Sequence, residues 1–344
     1  MLRFNIKNVP VFWREANNFL PSKKIPSKYP MLLTYDDKTK LIKQPYLKKT
    51  DQFLKKIYKA NENIGYLQED NPLKKIYGPE FIEFVLKNIK SSKSKVLEIG
   101  CGGMYTLNEL KKRGHYAYGC DPSPIANDAS KKYQIKLFKD FFPTKKNLKM
   151  RFEAVIHYDL LEHVWKPKQF IKECYKILEK NGKIIFVVPD STHQIKNGDI
   201  SLFIHQHVNY FSKNSLKLFL NDLGFSKVFI KRSNLTGVLM CVASNINRNF
   251  EISNARLINL TKKENFNFFY KAKKNYINIK KLISKDFLSL KSKEKIGFYP
   301  PLRAMPYLSS FLERKYLLDK IIFIDDNKKV KNKYICDLPL KILP

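Results

Sequence analysis

The chain has 344 residues, 44% hydrophobic and 13% aromatic, with a formal net charge of +34. That length predicts two or three units with ample apolar content for their cores, and no apolar run approaches the roughly 20 residues of a membrane-spanning helix. Only nine of the 65 basic residues are arginine, the residue suited to bidentate phosphate and base contacts, so the charge reads as solvated surface lysine rather than a nucleic-acid face. Attraction to anionic substrates stays open.

Pro21, Pro26, Pro30 and Pro45 punctuate residues 1–75, predicting irregular or short-stranded structure. Residues 79–90 space apolar groups at helical intervals behind Pro79, a residue suited to a first turn. Alternation follows. Strands are predicted at Val96–Ile99, Ala117–Cys120, Ile135–Phe138, Phe152–His157 and Lys183–Val188. Helices are predicted at Tyr105–Arg113, Ser123–Tyr133, Pro167–Leu178 (closed by Asn181-Gly182) and Ser212–Leu223. The strands Lys227–Lys231 and Gly237–Ser244 lack a helix between them and predict an antiparallel pair at a sheet edge. Residues 250–290 read as one or two long helices. The strand–helix–strand pattern Lys295–Tyr299, Leu302–Leu312 and Lys320–Ile324 then closes on Asp325-Asp326-Asn327.

The fold class is α/β: a Rossmann-like, doubly wound, mostly parallel sheet with an antiparallel edge strand. An irregular N-terminal region and a small C-terminal α/β unit complete it. The expected division is 1–75, 76–246, a helical linker at 247–292, and 293–344. The opening residues MLRFNIKNVPVF lack the apolar core and cleavage site of a signal peptide, so a cytoplasmic location is expected. The five cysteines form no CxxC pair and read as reduced, mostly buried thiols.

The most informative stretch is Val96-Leu97-Glu98-Ile99-Gly100-Cys101-Gly102-Gly103, followed by Asp121 at the end of the next predicted strand. Gly100 and Gly102 let backbone turn tightly and approach a ligand without a Cβ in the way. The helix N-terminus behind them offers free N–H groups to a carboxylate. Asp121 can accept two hydrogen bonds from a ribose diol, and it equally suits a helix-entry cap before Pro122. Asp140 and Phe141, after the third strand, can hold an adenine by hydrogen bond and stacking. The spacing is not a dinucleotide GxGxxG. It resembles the S-adenosylmethionine (SAM) loop of class I methyltransferases, and residues 80–245 are similar to that family. The resemblance implies SAM as cofactor and methyl donor, with Glu98, Gly100, Cys101, Gly102, Asp121, Asp140, Phe141, Tyr158 and Leu160 around it. It also implies a structural role for His163 in the Leu161-Glu162-His163 run. Asp159, Glu162 and His163 imitate a metal-binding run of ubiquinone-type O-methyltransferases, but no metal site is assigned.

Residues 204–216, IHQHVNYFSKNSL, resemble the His-x-His-x-x-Tyr-Phe-Ser segment of sugar-nucleotide C-methyltransferases. KIGFYPPLRAMPYL (295–308) and IIFIDDNKKVKNKYI (321–335) resemble the signature stretches of that family's C-terminal domain. Three departures stand out. The family's zinc cysteines are absent. Gln206 replaces a glutamate of the base machinery, and an amide cannot accept a proton at neutral pH. Tyr299-Pro300-Pro301 replaces a glycine-rich turn, and Pro344 falls short of that domain's full length.

His207, Tyr210 and His205 are the residues read as catalytic. Histidine can take a hydroxyl proton near neutral pH and a tyrosine hydroxyl can orient an acceptor; the alternative is a hydrogen-bonded cluster before the helix that Ser212 caps. The expected function is SAM-dependent methyl transfer to a small-molecule, nucleotide-sugar or glycan acceptor, as in surface-polysaccharide biosynthesis. Gln206 favours oxygen over carbon as the methylated atom. The alternatives are a non-catalytic binding or scaffold protein that keeps the fold, and an RNA methyltransferase resting on charge alone. Oligomeric state is open.

Overall fold

A computed structural model describes residues 2–11, 15, 16, 26, 28–59, 74–90, 92–144, 150–234, 237–247, 255–291, 293–299, 308, 311, 312, 319–324, 334, 335 and 338–341. They fall into two compact units. One joins Met1–Tyr35, Gln194–His207 and Phe266–Pro344; the other joins Asp36–His193 and Val208–Asn265.

The chain begins with β1 (Arg3–Pro10), β2 (Glu15–Ala16), β3 (Lys28–Asp36) and β4 (Leu41–Lys43). β1 and β3 pair antiparallel, with a register shift between Ile6 and Val9. Met31 and Leu33 are buried at period two, as a half-buried strand requires. Two helices follow, α1 (Lys48–Lys59) and α2 (Lys74–Leu86). The described part of residues 1–75 is therefore more regular than its prolines suggest. In α1, Thr50, Phe53, Leu54 and Ile57 are buried at helical spacing among exposed lysines. Pro79 lies inside α2 rather than in its first turn, because the helix starts at Lys74.

The second unit is organised by seven strands: β5 (Lys95–Ile99), β6 (Tyr116–Cys120), β7 (Lys136–Phe138), β8 (Phe152–Tyr158), β9 (Leu178–Pro189), and, further on, two more. The helices α3 (Tyr105–Lys112), α4 (Pro124–Tyr133), α5 (Pro167–Lys176) and α6 (Ser191–Lys196) lie between or after them. β10 (Asn209–Tyr210), α7 (Lys213–Asn221), β11 (Phe225–Arg232) and β12 (Val238–Ile246) complete the set. The sheet order is β11-β12-β9-β8-β5-β6-β7. β7, β6, β5, β8 and β9 are mutually parallel, and β12 is antiparallel to both β9 and β11. The fold is thus α/β, mostly parallel, with the antiparallel pair at one edge. β9 starts five residues before the predicted Lys183, so Asn181-Gly182 lies within it and α5 ends at Lys176.

Consecutive strand residues face opposite layers. Leu97, Ile99, Val155, Ile184, Phe186 and Val188 pack on one face with Phe170, Ile171 and Phe219. Val96, Ala154, Ile156, Ile185 and Val187 pack on the other with Phe81, Phe84, Val85 and Leu110. Both faces are covered, which is why these strands read as continuous apolar runs rather than alternating ones. The chain winds one way through β5, β6 and β7, then the other through β8 and β9. The loops after β5 and β8 therefore flank the switch point, where open α/β sheets bind ligands.

α8 (Ala255–Ser289) is a single 35-residue helix. Beyond it, β13 (Ile296–Phe298) and β14 (Ile321–Phe323) pair parallel, as the predicted strand–helix–strand pattern requires. Most of the Leu302–Leu312 helix and all of Asp325-Asp326-Asn327 lie outside the described residues, as do Cys336 and the Pro300-Pro301 pair. β15 (Tyr334–Ile335) pairs antiparallel with β16 (Leu338–Lys341) and with β2. Among the described residues, no helix is long and apolar enough to cross a membrane.

Candidate functional site

The loop after β5 turns through left-handed backbone at Gly100 (φ 73°), Gly102 (φ 44°) and Met104 (φ 57°). The Gly100 amide donates to the Cys120 carbonyl at 2.8 Å, and that of Met104 to the Cys101 carbonyl at 2.8 Å. A Cβ on Gly100 would lie 3.2 Å from Leu160 Cδ1, so the loops after β5 and β8 are packed together. A Cβ on Gly119 would lie 2.7 Å from Cys101 Sγ, which makes glycine a requirement of the neighbouring strand too. Met104 is the N-cap residue of α3 and offers no side-chain acceptor, leaving the helix's first N–H groups to other acceptors.

Asp121 is buried, and both its oxygens are engaged. Oδ2 accepts the Gly102 amide at 2.9 Å and Oδ1 the Ser123 amide at 2.7 Å. The cap of α4 is Ser123, whose hydroxyl accepts the Ala126 amide at 3.4 Å, so Asp121 braces the turn before the helix rather than capping it; a carboxylate has about four acceptor sites, and two remain. Glu98 is also buried, and its Oε2 has no hydrogen-bond partner among the described residues. Burial first, and the Asp121 charge second, hold its carboxyl well above the usual range, while the Thr106 hydroxyl pulls the other way. Burial likewise holds the Cys101 thiol well above its ordinary value. Cys120, Cys174 and Cys241 are, with Cys101, buried free thiols.

The third-strand pair is set beside this loop. Cys120 Sγ contacts the Asp140 carbonyl at 3.6 Å, and Asp140 Oδ1 accepts the Phe141 amide at 2.8 Å, leaving the Phe141 ring exposed. Tyr158 ends β8 with its ring edge-on to Phe81 at 5.1 Å, and burial together with the Asp159 charge raises its phenol. Backbone and side-chain contacts thus tie Gly100, Cys101, Gly102, Asp121, Asp140, Phe141 and Leu160 together, with Glu98 coupled through Asp121. Tyr158 sits on the α2 side of the same strand tip.

The residues read as catalytic behave differently from one another. His205 Nε2 lies 3.0 Å from the Tyr29 carbonyl and 3.3 Å from that of Val9. Two carbonyls demand an N–H, so Nε2 carries the proton and His205 ties backbone together through that nitrogen. Burial also holds its imidazole below the usual range. His207 Nδ1 lies 3.0 Å from the Leu202 carbonyl, which places the proton there and makes Nε2 the basic nitrogen. Tyr210 pairs with Ile42 in the β10–β4 ladder, and full burial raises its phenol well above the usual range. Ser212 is a cap: its hydroxyl accepts the Ser215 amide at 3.0 Å and donates to Glu264 at 2.6 Å.

Sequence reasoning missed two features. Asp159 takes φ 47°, and its Oδ1 and both oxygens of buried Glu162 have no hydrogen-bond partner among the described residues. Burial raises both carboxyls, Asp159 to about 7. Tyr58, on the unforeseen α1, reaches His163 Nδ1 at 3.5 Å. The run of letters at 159–163 was legible, but its strained backbone and orphaned oxygens leave no trace in residue type.

Residues 71–228 match the family model described as a methyltransferase domain, a span that holds β5 to β9 and the loops just described. Ubiquinone biosynthesis O-methyltransferase of Pelagibacter ubique is 35% identical over 107 residues, covering 30% of this chain and 42% of that protein. Its namesake in Coxiella burnetii is 28% identical over 118 residues, covering 32% and 50%. The chain spans about half the length of the curated relatives it matches. Among solved structures, magnesium protoporphyrin IX methyltransferase of Synechocystis has a TM-score of 0.43 at 14% identity, over 57% of this chain and 99% of that one. A DhpI complex with SAM gives 0.46 at 15% identity, over 58% and 99%.

Proposed function

We propose that this chain is a SAM-dependent methyltransferase that methylates a hydroxyl of a small or sugar-linked acceptor. The observation that carries the reading is the arrangement at the switch point. Two glycines with left-handed backbone, a helix N-terminus without a side-chain cap, a buried Glu98 oxygen with no hydrogen-bond partner among the described residues and a doubly anchored Asp121 all converge there. The methyltransferase-domain match falls on the same residues.

The donor set suits SAM. The α3 N-terminus would take its carboxylate, Asp121 its ribose hydroxyls, and Asp140 with Phe141 its adenine. When bound, SAM supplies a methyl group on a sulfonium, already an electrophile. What remains for the protein is to orient the acceptor and accept its proton. Oxygen is favoured because a hydroxyl is nucleophilic enough to need only a general base that takes its proton during transfer, whereas abstraction of a proton from carbon needs a stronger base and Gln206 cannot act as one. The O-methyltransferase relatives agree with this choice. On the resemblance of residues 204–216, His207 takes the acceptor proton and Tyr210 orients the acceptor. The likeness of that segment to sugar-nucleotide enzymes is the ground for a sugar-linked acceptor.

Calorimetry with SAM tests the reading. Heat of binding is expected with the wild-type chain and strong weakening with Asp121→Ala; no heat from the wild type would sink it. A mass-spectrometric comparison of metabolites and glycans with and without the gene should then reveal the acceptor as a species lighter by one methyl group.

A further inference from the structure

Residues 266–289 of α8 lie in the unit joining Met1–Tyr35, Gln194–His207 and Phe266–Pro344. One side of this stretch is buried through Phe268, Phe269, Ala272 and Phe287. Five large apolar side chains of the stretch are exposed; Leu282 stands off to another side, and the other four form one line: Phe266 at 59% exposure, Tyr270 at 63%, Ile277 at 40% and Leu288 at 75%. At 3.6 residues per turn, these four fall within about 40° of one another and run about 33 Å along the helix. Lysines border the stripe on both sides. Lys273 and Lys280 lie along one margin, and Lys274, Lys281 and Lys285 along the other, all exposed. Asp286 is the sole acid from 266 to 289, and the same stretch contains no arginine.

We propose that this face of α8 docks on an anionic lipid bilayer surface, with Phe266, Tyr270, Ile277 and Leu288 entering the interface and the flanking lysines meeting the headgroups. The pattern is that of a helix lying in the interfacial plane: a narrow apolar stripe, a cationic border and too little apolar length to span. Lysine fits the border because its aliphatic stem follows the apolar surface while the ammonium reaches outward. Charge selects the occupant. A second copy of this helix would oppose lysine rows of like sign, whereas an anionic leaflet attracts them. A nucleic acid would also meet the lysines, but Ile277 and Leu288 offer bases neither a stacking ring nor a hydrogen bond. This inference is independent of the methyltransferase reading.

Co-sedimentation of the full chain with vesicles tests it. Binding is expected to phosphatidylglycerol-containing vesicles and not to pure phosphatidylcholine. The combined variant Phe266→Gln, Ile277→Gln, Leu288→Gln should bind about tenfold or more weakly, and Lys273→Gln, Lys274→Gln, Lys281→Gln should bind similarly weakly with a flatter salt dependence. Tyr270→Trp, a change at an exposed position, should shift its emission to the blue with phosphatidylglycerol vesicles alone. No binding by the wild type, wild-type binding by the apolar variant, or unmoved Tyr270→Trp emission would each overturn the proposal. So would vesicle indifference coupled with RNA binding, or with a dimer that the apolar variant abolishes.

Discussion

The Gly102 amide donates to Asp121 Oδ2 at 2.9 Å, so the acid that follows β6 also fixes the glycine loop that follows β5. The geometry of both loops thereby depends on one carboxylate.

Asp121→Ala removes the acceptor of two backbone amides at once. Leaving buried donors unpaired costs about 1–3 kcal/mol each, less whatever water recovers. A loss of about 2 kcal/mol in urea denaturation is expected, together with SAM affinity reduced more than tenfold in calorimetry. Stability lost with affinity intact would confine Asp121 to holding the loop.

Gly100→Ala combines two penalties. A left-handed φ costs a non-glycine residue roughly 1 kcal/mol, and its Cβ would press on Leu160 Cδ1 at 3.2 Å. Gly198 provides the control, because it has φ 80° and nothing within 4 Å of a Cβ. Both alanine variants should lose about 1 kcal/mol from the backbone; Gly100→Ala should lose more and bind SAM less well. Equal effects at the two sites would remove the loop-packing argument.

Stability should respond to pH through groups of opposite sign. Asp159 is raised to about 7, so the native state holds a proton that the unfolded chain has released. Its contribution is full below about 4 and is lost as pH rises through 7. Glu98 and Glu162, held well above the usual range, act in the same direction. His157 is buried flat against Phe186, and burial lowers it to about 3. The unfolded state takes up the proton first, so this contribution is lost as pH falls from about 6.5 toward 3. Between pH 4.5 and 6.5 the two slopes oppose, each at most about 1.4 kcal/mol per pH unit. Asp159→Asn should therefore make stability rise more, or fall less, with pH across that range, and His157→Leu should do the reverse. Urea midpoints at four pH values measure both, and unchanged slopes would refute the assignment.

The two histidines of the His-x-His segment should separate cleanly. His205→Ala loses its hydrogen bonds to the Tyr29 and Val9 carbonyls and should lower stability by about 1–3 kcal/mol, with turnover per folded molecule kept. His207→Ala should abolish turnover while SAM affinity stays within twofold of wild type, about 0.4 kcal/mol. Normal turnover in His207→Ala would return it to structure.

Where the strands are buried and run into glycine or an acid, the sequence was readable: β5, β6, β7, β8, the second half of β9 and the Glu98–Gly102 loop fall close to their predicted places. α1 was not, because its lysines and the prolines before it mask the buried set Thr50, Phe53, Leu54 and Ile57. The early start of β9 was missed for a related reason. Asn181-Gly182 suits a turn, yet Asn181 takes φ 67° within the strand. The unit that gathers Met1–Tyr35, Gln194–His207 and Phe266–Pro344 has no sequence signature, since its members are far apart along the chain.

The sequence by itself determined that backbone turns tightly after β5, because glycine takes left-handed backbone at least cost and carries no Cβ, and residue type records that need directly. It also supplied the acids and histidines available for chemistry. Tertiary structure alone decided which of their atoms are already committed: Asp121 to two amides, His205 to two carbonyls 176 and 196 residues away, and Glu98 Oε2 to none among the described residues. Hydrogen-bond satisfaction and burial are properties of position in space, and the same carboxylate or imidazole becomes a tether, a base or a ligand-facing group according to what the fold places against it.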